Sequence, residues 1–227
     1  MDIEPIQTQS NLSKTCASNC NKHQTISLAP QQKIEQTALS NAQCMRVLEG
    51  AVLIYTMAMK TQRYVLDFLF AGDALVPAIF PAALRISVRA VTPTTIYASH
   101  HYDSNSQFSS ESTNVEVIQV AQSIMQRMMI SHLATEDRVA SAFISLALRC
   151  SEIRNNVAML PMPMSRDDLA DYIAVNPDTL SRITCKFEEQ KLIERVNRHK
   201  IILLDVERLA KMSTLAPHFI KSNGAIL

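Results

Sequence analysis

Ser165-Arg166-Asp167-Asp168-Leu169-Ala170-Asp171-Tyr172-Ile173-Ala174-Val175-Asn176-Pro177-Asp178-Thr179-Leu180-Ser181-Arg182-Ile183-Thr184-Cys185-Lys186-Phe187 holds two helix starts in close succession. Ser165 followed by the carboxylate of Asp168 is a capping box, in which the hydroxyl takes an early backbone amide, so a helix is expected to run to about Ile173. Asn176-Pro177-Asp178 supplies an N-cap, a proline suited to the first helical position and an acid for the positive end of the dipole. A second helix therefore starts there and runs to about Gln190. With about 100° between residues, Leu180, Ile183 and Phe187 fall on one side of it. Asp178, Ser181, Arg182, Cys185 and Lys186 fall on the other. One side packs, and the other is free to meet a partner.

That outer side carries the donors and acceptors a major groove demands. Arg182 can pair bidentately with guanine O6 and N7, Asp178 can accept from a cytosine amino group, and Ser181 can serve either. Between Arg182 and Lys200, six cations face three carboxylates, a local excess of three positive charges in a chain whose formal net charge is only +1. Leu192 to Val196 and Ile201 to Leu204 read as two strands around Asn197-Arg198-His199-Lys200, a basic-tipped hairpin able to lie along a phosphate backbone. This order of elements is a winged helix-turn-helix. The candidate DNA-contacting set is Asp178, Ser181, Arg182, Thr179, Arg166, Lys186, Arg198, His199 and Lys200. The plain alternative, a solvated charged face, does not account for two capped helices, a base-reading face and a basic wing in sequence.

Upstream the texture changes twice. Residues 1–40 are polar and read as an N-terminal tail with one short helix around Pro30 to Leu39. From Met45 to Ser99 come short β-rich runs, Met45 to Leu48, Ala51 to Met57, Arg63 to Phe70, Ile86 to Ala90 and Thr94 to Ala98, whose spacing suits a small antiparallel barrel or jelly roll. After a polar stretch, Val117, Ala121, Ile124, Met128 and Ser131 recur at helical steps, with Ile118, Met125 and His132 widening the stripe. Apolar on more than one face, this helix is a candidate subunit interface, and a further helix is expected over Asp137 to Arg149. The expected division is a tail (1–40), a β-roll (41–113), a dimerisation helix (114–136), a winged helix-turn-helix (137–212, with the helix-turn-helix at about 166–185) and a C-terminal tail (213–227). The fold class is α+β.

Composition excludes several alternatives. The chain has 227 residues, 47% of them hydrophobic, enough to build a core and too many for a disordered chain. Its three glycines, Gly50, Gly72 and Gly224, stand far apart, so no glycine-rich phosphate loop is available. The start of the chain is acidic and shows no secretory signal, and the most apolar stretch, Val65 to Leu84, is interrupted by Asp67, Asp73, Pro77 and Pro81. A cytoplasmic protein with no membrane partner is expected. Five scattered cysteines argue against a disulfide framework.

Met164 to Ile173, Asp178-Thr179-Leu180-Ser181-Arg182, Leu192-Ile193 and Ile201 to Asp205 together resemble the DNA-binding domain of the Crp/Fnr family of bacterial transcription regulators, most like its FNR/FixK branch. Looser matches continue in Val47 to Val52, Asp67-Phe68, Gly72-Asp73, Val88-Arg89-Ala90 and Asp137 to Ala140. The resemblance covers roughly Met45 to Met212. It implies a β-roll sensor of cyclic-nucleotide-binding type, a long dimerisation helix and a winged helix that binds a palindrome as a homodimer. RNA polymerase is a further expected partner. Ser181 and Arg182 match the recognition helix of that branch, whose half-site is TTGAT-like, while Asp178 stands where glutamate is usual and is one methylene shorter. Glycines common in the family are replaced by Ala174 in the helix-turn-helix turn, by Lys191 at the end of the recognition helix, and within Lys60 to Arg63 in a hairpin turn. Either the backbone is left-handed at Ala174 and Lys191, at a cost of about 1 kcal/mol each, or those turns have changed shape.

The sensed signal is less legible. The positions that hold Gly-Glu and Arg-Ser in the family's cyclic-nucleotide binders carry Val76-Pro77 and Leu84-Arg85, so cyclic AMP is not expected. An iron–sulfur cluster needs four converging thiolates. Cys16, Cys20 and Cys44 are one short, with Cys150 and Cys185 on helices elsewhere. Haem has only His100, His101 and His132 to draw on. No cofactor or metal is therefore expected. Cys185, on the groove-facing side beside Lys186, is a candidate redox thiol. No catalytic constellation is present, so no enzyme is expected. The competing function is a redox- or ligand-sensing module acting mainly through protein contacts.

Overall fold

A computed structural model describes residues 23–35, 42, 44–58, 62–80, 84–99, 117 and 130–217. Its N-terminal part is a β-roll of two four-stranded antiparallel sheets. One sheet runs β1 (His23–Leu28), β8 (Thr94–Ser99), β3 (Cys44–Glu49), β6 (Ala74–Leu75); the other runs β2 (Lys33–Glu35), β7 (Ile86–Ala90), β4 (Ala51–Ala58), β5 (Gln62–Phe70). Alternation sets the inward set: β7 and β8 bury every second residue, and Leu28, Val47, Val52, Ile54, Leu69, Val88 and Ile96 meet in the roll's own core.

β4 and β5 behave differently, because both of their faces are covered. Val52, Ile54 and Leu69 point into the roll, while Leu53, Tyr55, Val65 and Phe68 join a second core shared with the C-terminal helices. That explains why these two segments read as nearly continuous apolar runs and not as a clean alternation.

The C-terminal part comprises α1 (Thr135–Cys150), β9 (Ile153–Arg154), β10 (Val157–Pro161), α2 (Arg166–Ile173), α3 (Pro177–Glu189), β11 (Ile193–Asn197), β12 (Lys200–Leu203) and α4 (Val206–Lys211). Its sheet has the order β11-β12-β10-β9. The strands expected between Met45 and Ala98, and the strands and helices expected between Asp137 and Leu204, stand within a residue or two of their sequence positions. Ser165 caps α2 by accepting from the Asp168 amide (3.0 Å), and Asn176 caps α3 by accepting from the Asp178 amide (2.9 Å).

Several expectations need correction. Residues 30–39 do not form a helix where they are described: Pro30 and Gln31 make a tight turn, with Gln31 at φ 68°, and Lys33–Glu35 is a strand paired with β7. Nor is the whole of 1–40 a tail, since His23–Leu28 pairs with β8 along its full length. The cause is long-range pairing, which a polar local sequence does not advertise. The expected C-terminal tail starts too early as well. Ser213, Leu215 and Ala216 are buried, and Thr214 bonds to Asp137 through its amide and hydroxyl. Of the interface stripe, Ile118, Ala121, Ile124, Met125 and Met128 lie outside the described residues, as do Cys16, Cys20, His100 and His101. Val117 and Ile130-Ser131 are helical, and His132 is exposed in a break before α1, so the expected single helix over 114–136 does not reach 136. Among the described residues no helix is long and apolar enough to cross a membrane.

Candidate nucleic-acid interface

α3 owes its orientation to one buried row. Leu180, Ile183, Thr184 and Phe187 pack inward, and Thr184 satisfies its hydroxyl by donating to the Leu180 carbonyl (2.7 Å). Asp178, Arg182, Cys185 and Lys186 are exposed, with Thr179 and Ser181 half-buried. Among the described residues, neither the Asp178 carboxylate nor the Arg182 guanidinium is engaged by another side chain. Ser181 is more constrained: its hydroxyl donates to the Pro177 carbonyl (3.0 Å) and accepts from Arg166 Nη1 (3.2 Å).

One expected contact residue, Lys186, and the candidate redox thiol, Cys185, are engaged within the fold. Lys186 Nζ pairs with Glu136 at the start of α1 (2.6 Å), tying the last turn of α3 to that helix. Cys185 lies beside Arg195, whose Nη2 donates to its Sγ at 3.5 Å and pairs with Glu188. The wing closes as a two-residue turn, Arg198-His199, between paired Asn197 and Lys200. Asn197 Oδ1 accepts from the His199 amide (2.8 Å) and Arg198 Nε donates to His199 Nε2 (2.8 Å). Arg198 and His199 are exposed and Lys200 half-buried.

The turn between α2 and α3 resolves the missing glycines. Ala174 is left-handed at φ 57°, ψ 47°, and its amide closes the end of α2 on Ala170 and Asp171 carbonyls. Its own carbonyl accepts from Arg138 Nη1 (2.6 Å). Lys191 is left-handed too, at φ 55°. Both turns keep a left-handed residue where glycine is usual, and the Lys191 amide closes on the Glu188 carbonyl (2.9 Å).

Sequence reasoning missed the junction that fixes the helix-turn-helix domain against the roll. Asp168, assigned only to a helix start, is buried and receives two arginines from the roll: Arg63 Nη1 at 2.6 Å and Arg89 Nη2 at 2.7 Å. Burial pushes its pKa up, but the hydrogen bonds from Ser165 and Arg89 and the charges of Arg89 and Arg63 prevail and hold it below the usual carboxylate range. Arg63 also bonds Asp171. From the other side, Arg149 of α1 reaches Asp67 (3.0 Å), Asp73 (2.9 Å) and the Phe68 carbonyl (2.7 Å). Burial disfavours its charge, yet Asp67 and Asp73 outweigh this and raise its pKa. Phe68 meets Tyr172 edge to face at 5.2 Å. The available signal was the presence of Arg63 and Arg89 in largely apolar strands.

With this geometry in view, residues 137–212 match the Crp-like helix-turn-helix domain model. The chain is 27% identical over 176 residues to the nitrogen fixation regulation protein FixK of Rhizobium meliloti, covering 76% of this chain and 79% of that one. It is 22% identical over 173 residues to a FixK of Bradyrhizobium diazoefficiens, covering 74% and 72%. Among solved structures, FixK2 from Bradyrhizobium japonicum superposes with a TM-score of 0.69 at 17% identity over 85% of this chain and 98% of that one. The named relatives are regulators, and none is an enzyme.

Proposed function

Because the chain belongs to the Crp/Fnr family of transcription regulators, on its FixK-like side, we propose that α3 enters the major groove of a palindromic operator and reads it with Asp178, Ser181 and Arg182. The observation that carries this reading is the division of α3 into a fully packed row and an opposite row whose Asp178 and Arg182 side chains stand free. Arg182 takes a guanine through O6 and N7, and Asp178 accepts from a cytosine amino group. Ser181, oriented by Arg166, presents its hydroxyl at the groove edge, with Thr179 beside it. Arg198, His199 and Lys200 of the wing follow the phosphates, where they set register without reading sequence. Lys186 joins them on leaving Glu136.

Family members bind DNA as dimers, and here the stripe of Val117, Ile118, Ala121, Ile124, Met125, Met128 and His132 supplies the interface. The β-roll acts as the sensor, residues 137–212 as the reading head, and RNA polymerase as the downstream partner, in the cytoplasm. A TTGAT-like half-site is the starting duplex. Replacing Arg182 by alanine removes one bidentate contact in each half-site, about 1–3 kcal/mol apiece. In a gel shift against that palindrome the variant fails to bind where the wild type saturates. An R182A protein that shifts the duplex at wild-type concentrations refutes the assignment.

A further inference from the structure

A cavity of about 620 Å³ lies where the reading head faces the roll. Its volume is that of a small-molecule site, within the roughly 300–1,000 Å³ such pockets span, and far too small for a duplex. Val91 on the roll and Met162, Met164 and Leu180 on the head give it an apolar lining, while Arg166, Arg195 and Arg198 stand around it. Its one acidic lining residue, Asp168, is already committed to Arg63 and Arg89, and Arg195 to Glu188, so the charge left to greet a ligand is that of Arg166 and Arg198. The walls are also held at a fixed separation. Arg89 donates to Gln31 Oε1 (3.1 Å) on the roll side of the cavity and pairs with Asp168 on the head side. A preformed apolar space with a cationic rim, at a domain junction, is built for a molecule with an apolar body and one anionic group.

We propose that this cavity binds a small amphipathic organic anion, a carboxylate, sulfonate or phosphate on an aromatic or aliphatic body, and that its occupation excludes operator DNA. The exclusion follows from shared residues: Arg166, Ser181, Arg198 and His199 line the cavity and are the same side chains assigned above to DNA. This half of the proposal rests on the DNA-binding reading. Two ligands that need one set of groups oppose each other reciprocally. Bound between Gln31 and the wing, the anion also keeps the head on the roll.

The probe is anilinonaphthalene sulfonate, whose fluorescence rises in apolar sites, titrated into the full-length protein. Saturable binding at one site per chain is expected, with release when the palindromic duplex is added. N-phenylnaphthylamine, the same body without the sulfonate, should bind roughly tenfold more weakly, the effect of losing about one favourable charge contact. Val91→Trp fills the space from the roll side, and Val91→Glu places a like charge against the anion. Val91 is outside the DNA-contacting set, so both variants should keep their duplex affinity while losing about tenfold or more in probe affinity. Two substitutions of opposite character guard against one of them merely unfolding the protein. Probe binding unchanged in both variants, or probe and duplex bound together, overturns the proposal and leaves the DNA reading intact. A protein that binds no duplex but keeps Val91-dependent probe binding supports the anion site and overturns the DNA reading, and with it the exclusion.

Discussion

Asp168→Asn is the substitution that most directly tests how the reading head is held. Asparagine keeps the shape of the side chain but removes the charge that Arg63 and Arg89 share at 2.6 and 2.7 Å. The carboxylate is 6% exposed, and the two guanidiniums are 27% and 15% exposed. Removing one member of a fully buried pair costs about 3–5 kcal/mol. Partial solvent access to the arginines brings the expected loss to about 2–3 kcal/mol. For a chain of this size that corresponds to a melting temperature lower by about 4–12 °C in calorimetry. A broadened or split endotherm should accompany the drop, because the roll and the head lose their shared ion cluster. Asp167→Asn is the control: it removes an acid from the same helical turn, but Asp167 is 70% exposed and should cost no more than about 0.3–1 kcal/mol through the helix dipole. Acid gives a second readout. The folded pKa of Asp168 lies below its ordinary value, so its contribution is complete above the unfolded value of about 3.9 and is lost as pH falls through the folded pKa. The gap between wild type and D168N should therefore close below about pH 4. A D168N protein that melts within about 1 °C of wild type near neutral pH, or a gap that widens in acid, refutes the argument.

Other outcomes follow from single positions. Gly50 has φ 85°, and a Cβ there would sit 2.3 Å from the Pro93 carbonyl oxygen, whereas Gly72 at φ 95° has open space around it. Gly50→Ala should thus cost clearly more in urea unfolding than Gly72→Ala, whose strain alone is about 1 kcal/mol, and equal losses would contradict the packing. Glycine at Ala174 or Lys191 should relieve left-handed strain, raising stability by up to about 1 kcal/mol each; destabilisation by either would show that its caps depend on the side chain. Mild peroxide converts an accessible thiol to a sulfenic acid, and on Cys185 this places bulk on the groove-facing side of α3. Duplex binding should fall in wild type and persist in Cys185→Ser, an equal loss in both being the contrary result. Cys150 is not a competing target at neutral pH, since burial above all, with Asp73 and Asp67 and against Arg149, pushes its thiol up to about 12.

What could be read from sequence was local in origin. The caps at Ser165 and Asn176, the proline at the start of α3 and the packed row Leu180, Ile183 and Phe187 each depend on residues within a turn or two of one another. The helix-turn-helix therefore emerged nearly complete. The β-runs from Cys44 to Ser99 were legible because their alternation and turn residues are local too. β1, β2, β6, β9 and β10 escaped: His23–Leu28 is polar in composition and gains its structure from β8, more than sixty positions away, and Val157–Pro161 becomes a strand by pairing with β12. The sharing of Asp168 by Arg63 and Arg89 was invisible for the same reason. A capping box explained Asp168 sufficiently on its own, so nothing local demanded the second role.

That double role has a mechanical consequence. Along β5, Leu69 points into the roll, its neighbour Phe68 meets Tyr172 of α2, and Arg63 at the other end of the strand holds Asp168 and Asp171. Alternate side chains on one rigid strand thus serve the roll interior and the reading head. A rearrangement inside the roll that shifts β5 must move its contacts on both faces together, because close-packed interiors transmit displacement and do not absorb it. The first element to receive that shift is α2, whose last turn leads through Ala174 directly into α3. Arg63, Phe68 and Asp168 therefore lie on a direct physical connection between the roll and α3, and the cavity lined by Val91 and Arg166 opens beside its far end.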